Sequence, residues 1–277
     1  MFAKLLKYEW KATAGLLGIL SAAAVGVGSL GGLCLRLLFT TVESVGEGDT
    51  NGVVMLPLIL LLMFSMLGLG AYMFAVHIIL YARFYKSRFT DEGYLTFTLP
   101  VSATENFLSA LTNILIWQVI CGAVMFLSFG LFVVLGATGI PGLEATLEFS
   151  EIGQAFRLFL TQSGDGLQGV LSVLLGIVSF ICAPVLIMFC ITMGAVLAKK
   201  HKILASIGIY YGVSMAVSML TSVGSAMVLV NGLESNGTPD TTLILISSGI
   251  QLIVQLGLAV GGSFLTVRLM EKKLNLP

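Results

Sequence analysis

Apolar residues fill six long stretches of this chain, at about 14–40, 53–81, 104–136, 167–198, 203–231 and 241–267. A helix needs about 20 mostly apolar residues to cross about 30 Å of hydrocarbon. Each stretch therefore predicts a membrane-spanning helix, and several are long enough to predict tilt, kinks or extension beyond the bilayer. Pro57 and Pro184 fall inside the second and fourth stretches, where a kink is tolerated. The breaks are polar: "TVESVGEGDTNG" at 41–52, a longer loop at 137–166, "KKHK" at 199–202 and "GLESNGTPD" at 232–240. Within the longer loop, Leu143, Leu147, Ile152, Phe156 and Phe159 recur at near-helical spacing among acids, which predicts a short helix on the outer surface. The pattern predicts an all-α polytopic membrane protein with six transmembrane helices, organised as a single transmembrane domain over 1–277.

Composition agrees with the pattern. Of 277 residues, 57% are hydrophobic and 10% charged, against about 25% charged in an ordinary soluble domain. Mean hydropathy is +1.02. The formal net charge of zero hides an uneven distribution. Lys4, Lys7 and Lys11 precede the first span, and Arg83, Lys86 and Arg88 follow the second. Lys199, Lys200 and Lys202 follow the fourth, and Arg268, Lys272 and Lys273 follow the sixth. Twelve of the 14 basic residues thus fall on one side, leaving Arg36 and Arg157. Cytoplasmic loops retain Lys and Arg, so both termini are expected in the cytoplasm.

Residues 1–13 predict a separate amphipathic helix lying in the cytoplasmic interface. Phe2, Leu5, Leu6 and Trp10 gather on one side of a helical wheel, and Lys4, Lys7 and Lys11 on the other, toward anionic lipid. Glu9 falls inside the apolar face, and is expected to reach water or a basic residue of another cytoplasmic segment. "SAAA" at 21–24 resembles a signal-peptide cleavage site, but the ordered partition of the basic region favours the amphipathic helix.

Several chemistries have no residues to carry them. There is no GxxxxGK[ST] loop to cradle nucleotide phosphates, no HExxH and no GxSxG. Cys34, Cys121, Cys182 and Cys190 lie in apolar segments without a CxxC pair, and read as small packing residues. Ion-coupled carriers need ionisable groups on the pathway; here His77 and Arg36 come nearest, close to span ends where snorkelling accounts for them. Asn113, Gln118, Gln251 and Gln255 sit in apolar helices and are expected to hydrogen-bond between helices. Gly28 with Gly32, and Gly257 with Gly261, form GxxxG pairs that offer a weak signal for a dimer face.

The densest chemistry is internal: "RFYKSRFTDEGYLTFTLPVSATENF" at 83–107. Thr90 and Asp91 can cap a short helix, with Asp91 and Glu92 favourable near its positive end. Gly93 gives that helix a bent or flexible start. Tyr94, Leu95, Phe97 and Leu99 follow, Pro100 stops it, and Ser102 with Glu105 forms a capping-box pattern that launches the third span. Two readings fit: a hairpin that merely joins two spans, or a knob with apolar groups and flanking charges suited to a groove on a soluble partner.

The stretch "RFTDEGYLTFTLPVSATENFLSAL" resembles the cytoplasmic signature of ABC transporter permeases of the type-two exporter family, in Asp91, Glu92, Gly93, Leu95, Leu99, Pro100, Val101 and Ser102. The opening "FAKLLKYEWKAT" resembles that family's N-terminal connecting helix. Thr104–Glu105–Asn106 departs from the pattern, where basic residues are expected. The resemblance implies a transport subunit, not an enzyme, in the cytoplasmic (inner) membrane of a bacterium. It implies a coupling helix over Thr90–Leu99 between spans two and three, touching a separate soluble ABC ATPase through Thr90, Asp91, Glu92, Gly93, Tyr94, Leu95, Phe97 and Leu99. A connecting helix with Phe2, Leu5, Leu6, Glu9 and Trp10 would pack beside the same ATPase. It further implies a second permease subunit, in a homodimer or heterodimer, and membrane lipids as partners, with no nucleic acid. ATP and magnesium are expected on the ATPase, and no cofactor on this chain. The uncharged spans suit an amphiphilic or hydrophobic cargo: a peptide, antimicrobial or lipid-like molecule. The alternative is a non-transporting scaffold or sensor that docks a soluble cytoplasmic partner.

Overall fold

The computed structural model describes residues 2–44, 52–90, 93, 101–139, 166–198, 200–234 and 241–272. Six helices run through them: α1 (Phe2–Ser44), α2 (Gly52–Phe89), α3 (Ala103–Ala137), α4 (Gly166–Leu197), α5 (Lys202–Glu234) and α6 (Thr241–Lys272). Each contains a span long and apolar enough to cross a membrane, and no strand occurs among the described residues. In hydrocarbon the backbone must satisfy its own polar groups, which a helix does within the segment. Hydroxyls inside the spans are satisfied in the same way. Ser128, Thr192 and Thr266 each donate to the carbonyl four residues earlier, at 2.7, 2.8 and 2.6 Å. Pro57 and Pro184 lie inside α2 and α4 without ending either helix. The predicted outer-surface helix at 143–160 lies outside the described residues.

The N-terminal segment is not a separate helix. Residues 2–13 form the first turns of α1, which continues to Ser44 without a break. The sequence explains this: "FAKLLKYEWKATA" contains no glycine, proline or capping pattern to end a helix, and consists largely of good helix formers. At 1.5 Å per residue, α1 is about 65 Å long, roughly twice the hydrocarbon thickness. The amphipathic partition is present: Lys4, Lys7 and Lys11 are exposed, whereas Phe2, Leu5, Leu6, Glu9 and Trp10 are half-buried.

Backbone contacts divide the chain into two compact units. One comprises residues 3–80 and 112–151, and so holds most of α1, α2 and α3. Here α1 runs antiparallel to α2, with Ser21 hydrogen-bonded to Tyr72 at 3.0 Å and Gly31 against Ser65. It runs parallel to α3, with Trp117 bonded to Thr13, Gly28 on Ser128 and Gly32 on Phe132. A Cβ on Gly28 would lie 2.6 Å from the Ser128 carbonyl oxygen, and one on Gly32 2.7 Å from that of Phe132. The Gly28/Gly32 pair therefore buries against the chain's own α3 and is not a free dimer face, because two backbones approach there closer than any side chain permits. Gly257 and Gly261 meet nothing within 4 Å.

The other unit comprises residues 1–2, 81–111 and 152–277. In it α4 packs against both α5 and α6, and α5 against α6. Gln255 accepts a hydrogen bond from Ser179 at 2.8 Å, so this amide does link helices as its position predicts. Asn113 and Gln118, in the first unit, leave buried carbonyl oxygens without a hydrogen-bond partner, and Gln251 is exposed.

Candidate functional site: the α2–α3 junction

The second unit also holds the end of α2 and the start of α3. Arg88 lies in the last turn of α2 and is only 1% exposed. Taking a cation out of water costs several kcal/mol unless hydrogen bonds replace its hydration. Here Nη2 donates to the Asn106 side-chain oxygen at 2.8 Å and to the Asn106 backbone carbonyl at 3.1 Å. Nη1 donates to the Ser87 hydroxyl at 2.8 Å. The guanidinium carbon stands 4.9 Å from the centroid of Phe84, one helical turn earlier, in cation–π range. Phe84 meets Phe89 edge-on at 5.9 Å, and Tyr85 stacks on Phe89 at 6.0 Å. One buried cation thus ties the end of α2 to the first turn of α3 beside the Phe84 ring.

The α3 side is capped. The Ser102 hydroxyl accepts a hydrogen bond from the Glu105 backbone N–H at 3.2 Å, the forward arm of the expected capping pattern. Asn106 is 4% exposed, and its backbone carbonyl also accepts from Ser109 at 2.9 Å. The polar Asn106 is therefore the acceptor that Arg88 requires.

Thr90 reaches back to the end of α2. Its hydroxyl donates backward to the Lys86 carbonyl at 2.6 Å. The last four carbonyls of a helix lack intrahelical donors, and Thr90 satisfies one of them. Gly93 is buried and helical, with its N–H donating to the Thr90 carbonyl at 2.8 Å. A Cβ there would lie 2.5 Å from the Arg88 carbonyl oxygen and 2.8 Å from its carbon. The glycine is demanded by this close approach to the backbone that carries Arg88. Asp91, Glu92, Tyr94, Leu95, Phe97, Leu99 and Pro100 lie outside the described residues.

Of the connecting-helix residues, Trp10 has a defined contact in the first unit. It stacks on Trp117 of α3 with centroids 4.9 Å apart and planes 18° apart. The Trp117 indole N–H donates to the Thr13 hydroxyl at 3.0 Å, and that hydroxyl is placed 3.1 Å from the Glu9 and Trp10 carbonyls. Trp10 was expected in the apolar face toward the headgroups; it packs on protein instead, because the unbroken α1 carries it alongside α3.

Sequence reasoning missed Arg88, Phe84 and Asn106 as site residues and, separately in the other unit, the Thr13–Trp117 contact. Arg88 counted there as one more basic charge marking orientation. The available signal was the Phe84–Arg88 spacing of four, which places both on one helical face. Among the described residues, no three His, Cys, Asp or Glu side chains come together in a metal-binding group. All four cysteines are free and buried. Comparison with protein-family models, with curated proteins and with solved structures finds no match to this chain.

Proposed function

We propose that this chain is the membrane-spanning permease subunit of an ATP-driven exporter of the ABC type-two kind, using a separate soluble ATPase. The observation that carries the reading is the α2–α3 junction. A connection with the acidic-glycine element and "LPVS" of coupling segments hangs from two helix ends locked by a buried Arg88–Asn106 pair. A mere linker has no need of a buried cation at its root. A partner that changes shape with nucleotide shifts the permease between states only through contacts that differ between those states. Residues 90–99 are where such contacts are delivered, with Leu95 and its apolar neighbours entering the ATPase groove. Two permease subunits and two ATPase subunits complete the exporter, with both termini in the cytoplasm. The cargo is amphiphilic or hydrophobic, as the uncharged span interiors favour.

The test is affinity purification of the tagged chain from its native host in mild detergent. A soluble ATPase should co-purify in stoichiometric amount, and Leu95→Asp should abolish its capture while leaving membrane insertion intact. A chain that purifies without an ATPase, or captures one equally well with Leu95→Asp, would sink the reading.

A further inference from the structure

We infer that Arg88 is a positioning residue, whose buried guanidinium holds the end of α2 and the start of α3 as one rigid root for residues 90–102. The meaning for transport rests on the docking role proposed above, but the rigidity belongs to this chain alone.

Three observations converge on this role. Arg88 is 1% exposed and Asn106 4%, so the pair is sealed from water. One nitrogen of the fork reaches two acceptors on Asn106, while the other reaches Ser87 on its own helix. The planar fork fixes direction as well as distance, which a lysine ammonium does not. Gly93 then lays the outgoing chain directly on the Arg88 carbonyl, so the backbone that leaves α2 is referenced to the same residue.

Stability is a poor reason to retain such a group. Replacing a buried ionic or polar pair by apolar residues of similar volume is often neutral or stabilising. What an apolar pair loses is directional definition. The structure therefore assigns Arg88 to geometry: with the fork in place, a displacement of the loop is passed to both helix ends together. Without it, the two ends slide independently.

The experiment uses the full-length chain in detergent or nanodiscs, with no partner. Nitroxide labels are placed at introduced cysteines on exposed positions, Ala82→Cys on α2 and Leu108→Cys on α3; the native cysteines are buried. The inter-label distance distribution is read by electron paramagnetic resonance beside the thermal unfolding midpoint. In Arg88→Met with Asn106→Leu, the midpoint should hold or rise while the distribution roughly doubles in width. In Arg88→Lys with Asn106→Asp, which keeps charge and polarity at the two positions but has no planar fork, the width should stay above that of the parent.

A distribution as narrow in the apolar variant as in the parent overturns the proposal. So does a widening that only tracks a fallen midpoint, or a Lys–Asp pair as narrow as the parent. If the apolar variant does not fold, Arg88→Lys alone decides, since it keeps the charge and loses the fork: broadening supports the role and an unchanged width overturns it. Because no ATPase takes part, a negative result leaves the exporter reading standing. Failure to capture an ATPase likewise leaves the rigid root standing.

Discussion

A single hydroxyl shows how polar groups are used inside this apolar chain. Thr13, 2% exposed, is an acceptor for the Trp117 indole at 3.0 Å, which joins α1 to α3 beneath the Trp10–Trp117 stack. Trp117→Phe keeps most of the stacking area and removes the donor. It should destabilise by about 0.5–1.5 kcal/mol, the ordinary net worth of one hydrogen bond, read as a shift in a reversible unfolding titration in detergent. Gly28 presents the opposite problem, since what matters is the atom it lacks. Gly28→Leu drives a side chain into the Ser128 backbone and should cost about 1–3 kcal/mol or more from overpacking, whereas Gly257→Leu, with open space around it, should change little. Equal effects at the two glycines would refute the α1–α3 crossing. Both glycines belong to identical GxxxG patterns, so the sequence held no sign of which one was buried. Neighbours on other helices make that difference.

At the scale of elements, the helices were legible and their ends less so. The six apolar stretches match α1–α6 because a bilayer imposes both length and hydrophobicity on any spanning segment. The departure lies at the front of α1, where a change from amphipathic to uniformly apolar sequence suggested two elements. Helix continuity depends on backbone breakers, and none stands between Phe2 and Ala14. Lys11→Pro should therefore matter: it interrupts a continuous helix interior at a cost of about 3 kcal/mol, and should displace Trp10 from Trp117. Loss of the buried-tryptophan fluorescence signature would register the change, whereas a separate, loosely joined helix would absorb the proline. The turn into the α2–α3 connection carries a second test. Gly93→Ala adds a methyl group 2.5 Å from the Arg88 carbonyl oxygen, so it should lower the unfolding midpoint measurably and weaken ATPase capture without blocking insertion.

For the whole molecule, the most exposed helices are α5 and α6. Of the most apolar window in each, 6% and 0% is buried within the chain, against 22–28% in α1 to α4. Ile203, Leu204, Tyr211 and Met215 on α5, and Ile253, Val260 and Phe264 on α6, are each at least 62% exposed, which suits contact with hydrocarbon. Orientation is tested with impermeant thiol reagents on intact cells. Cysteines at Lys4 and Lys200, at the basic ends, should label only after permeabilisation, and a cysteine at Thr138, at the far end of α3, should label at once. The reverse pattern would invert the charge-based topology and place residues 90–102 outside, where no ATPase could reach them.

The sequence by itself determined the class, the six spans and the side on which positive charge collects, because each follows from transfer of residues between water and hydrocarbon. It also marked residues 83–107 as the place where chemistry is concentrated. Tertiary structure alone decided that Arg88 turns inward to Asn106, that Trp10 meets Trp117, and that Gly28 is buried while Gly257 is open. The physical reason is common to all three. Hydropathy is a property of each residue against its solvent, whereas close packing and directional hydrogen bonds depend on which atoms a neighbouring helix brings alongside.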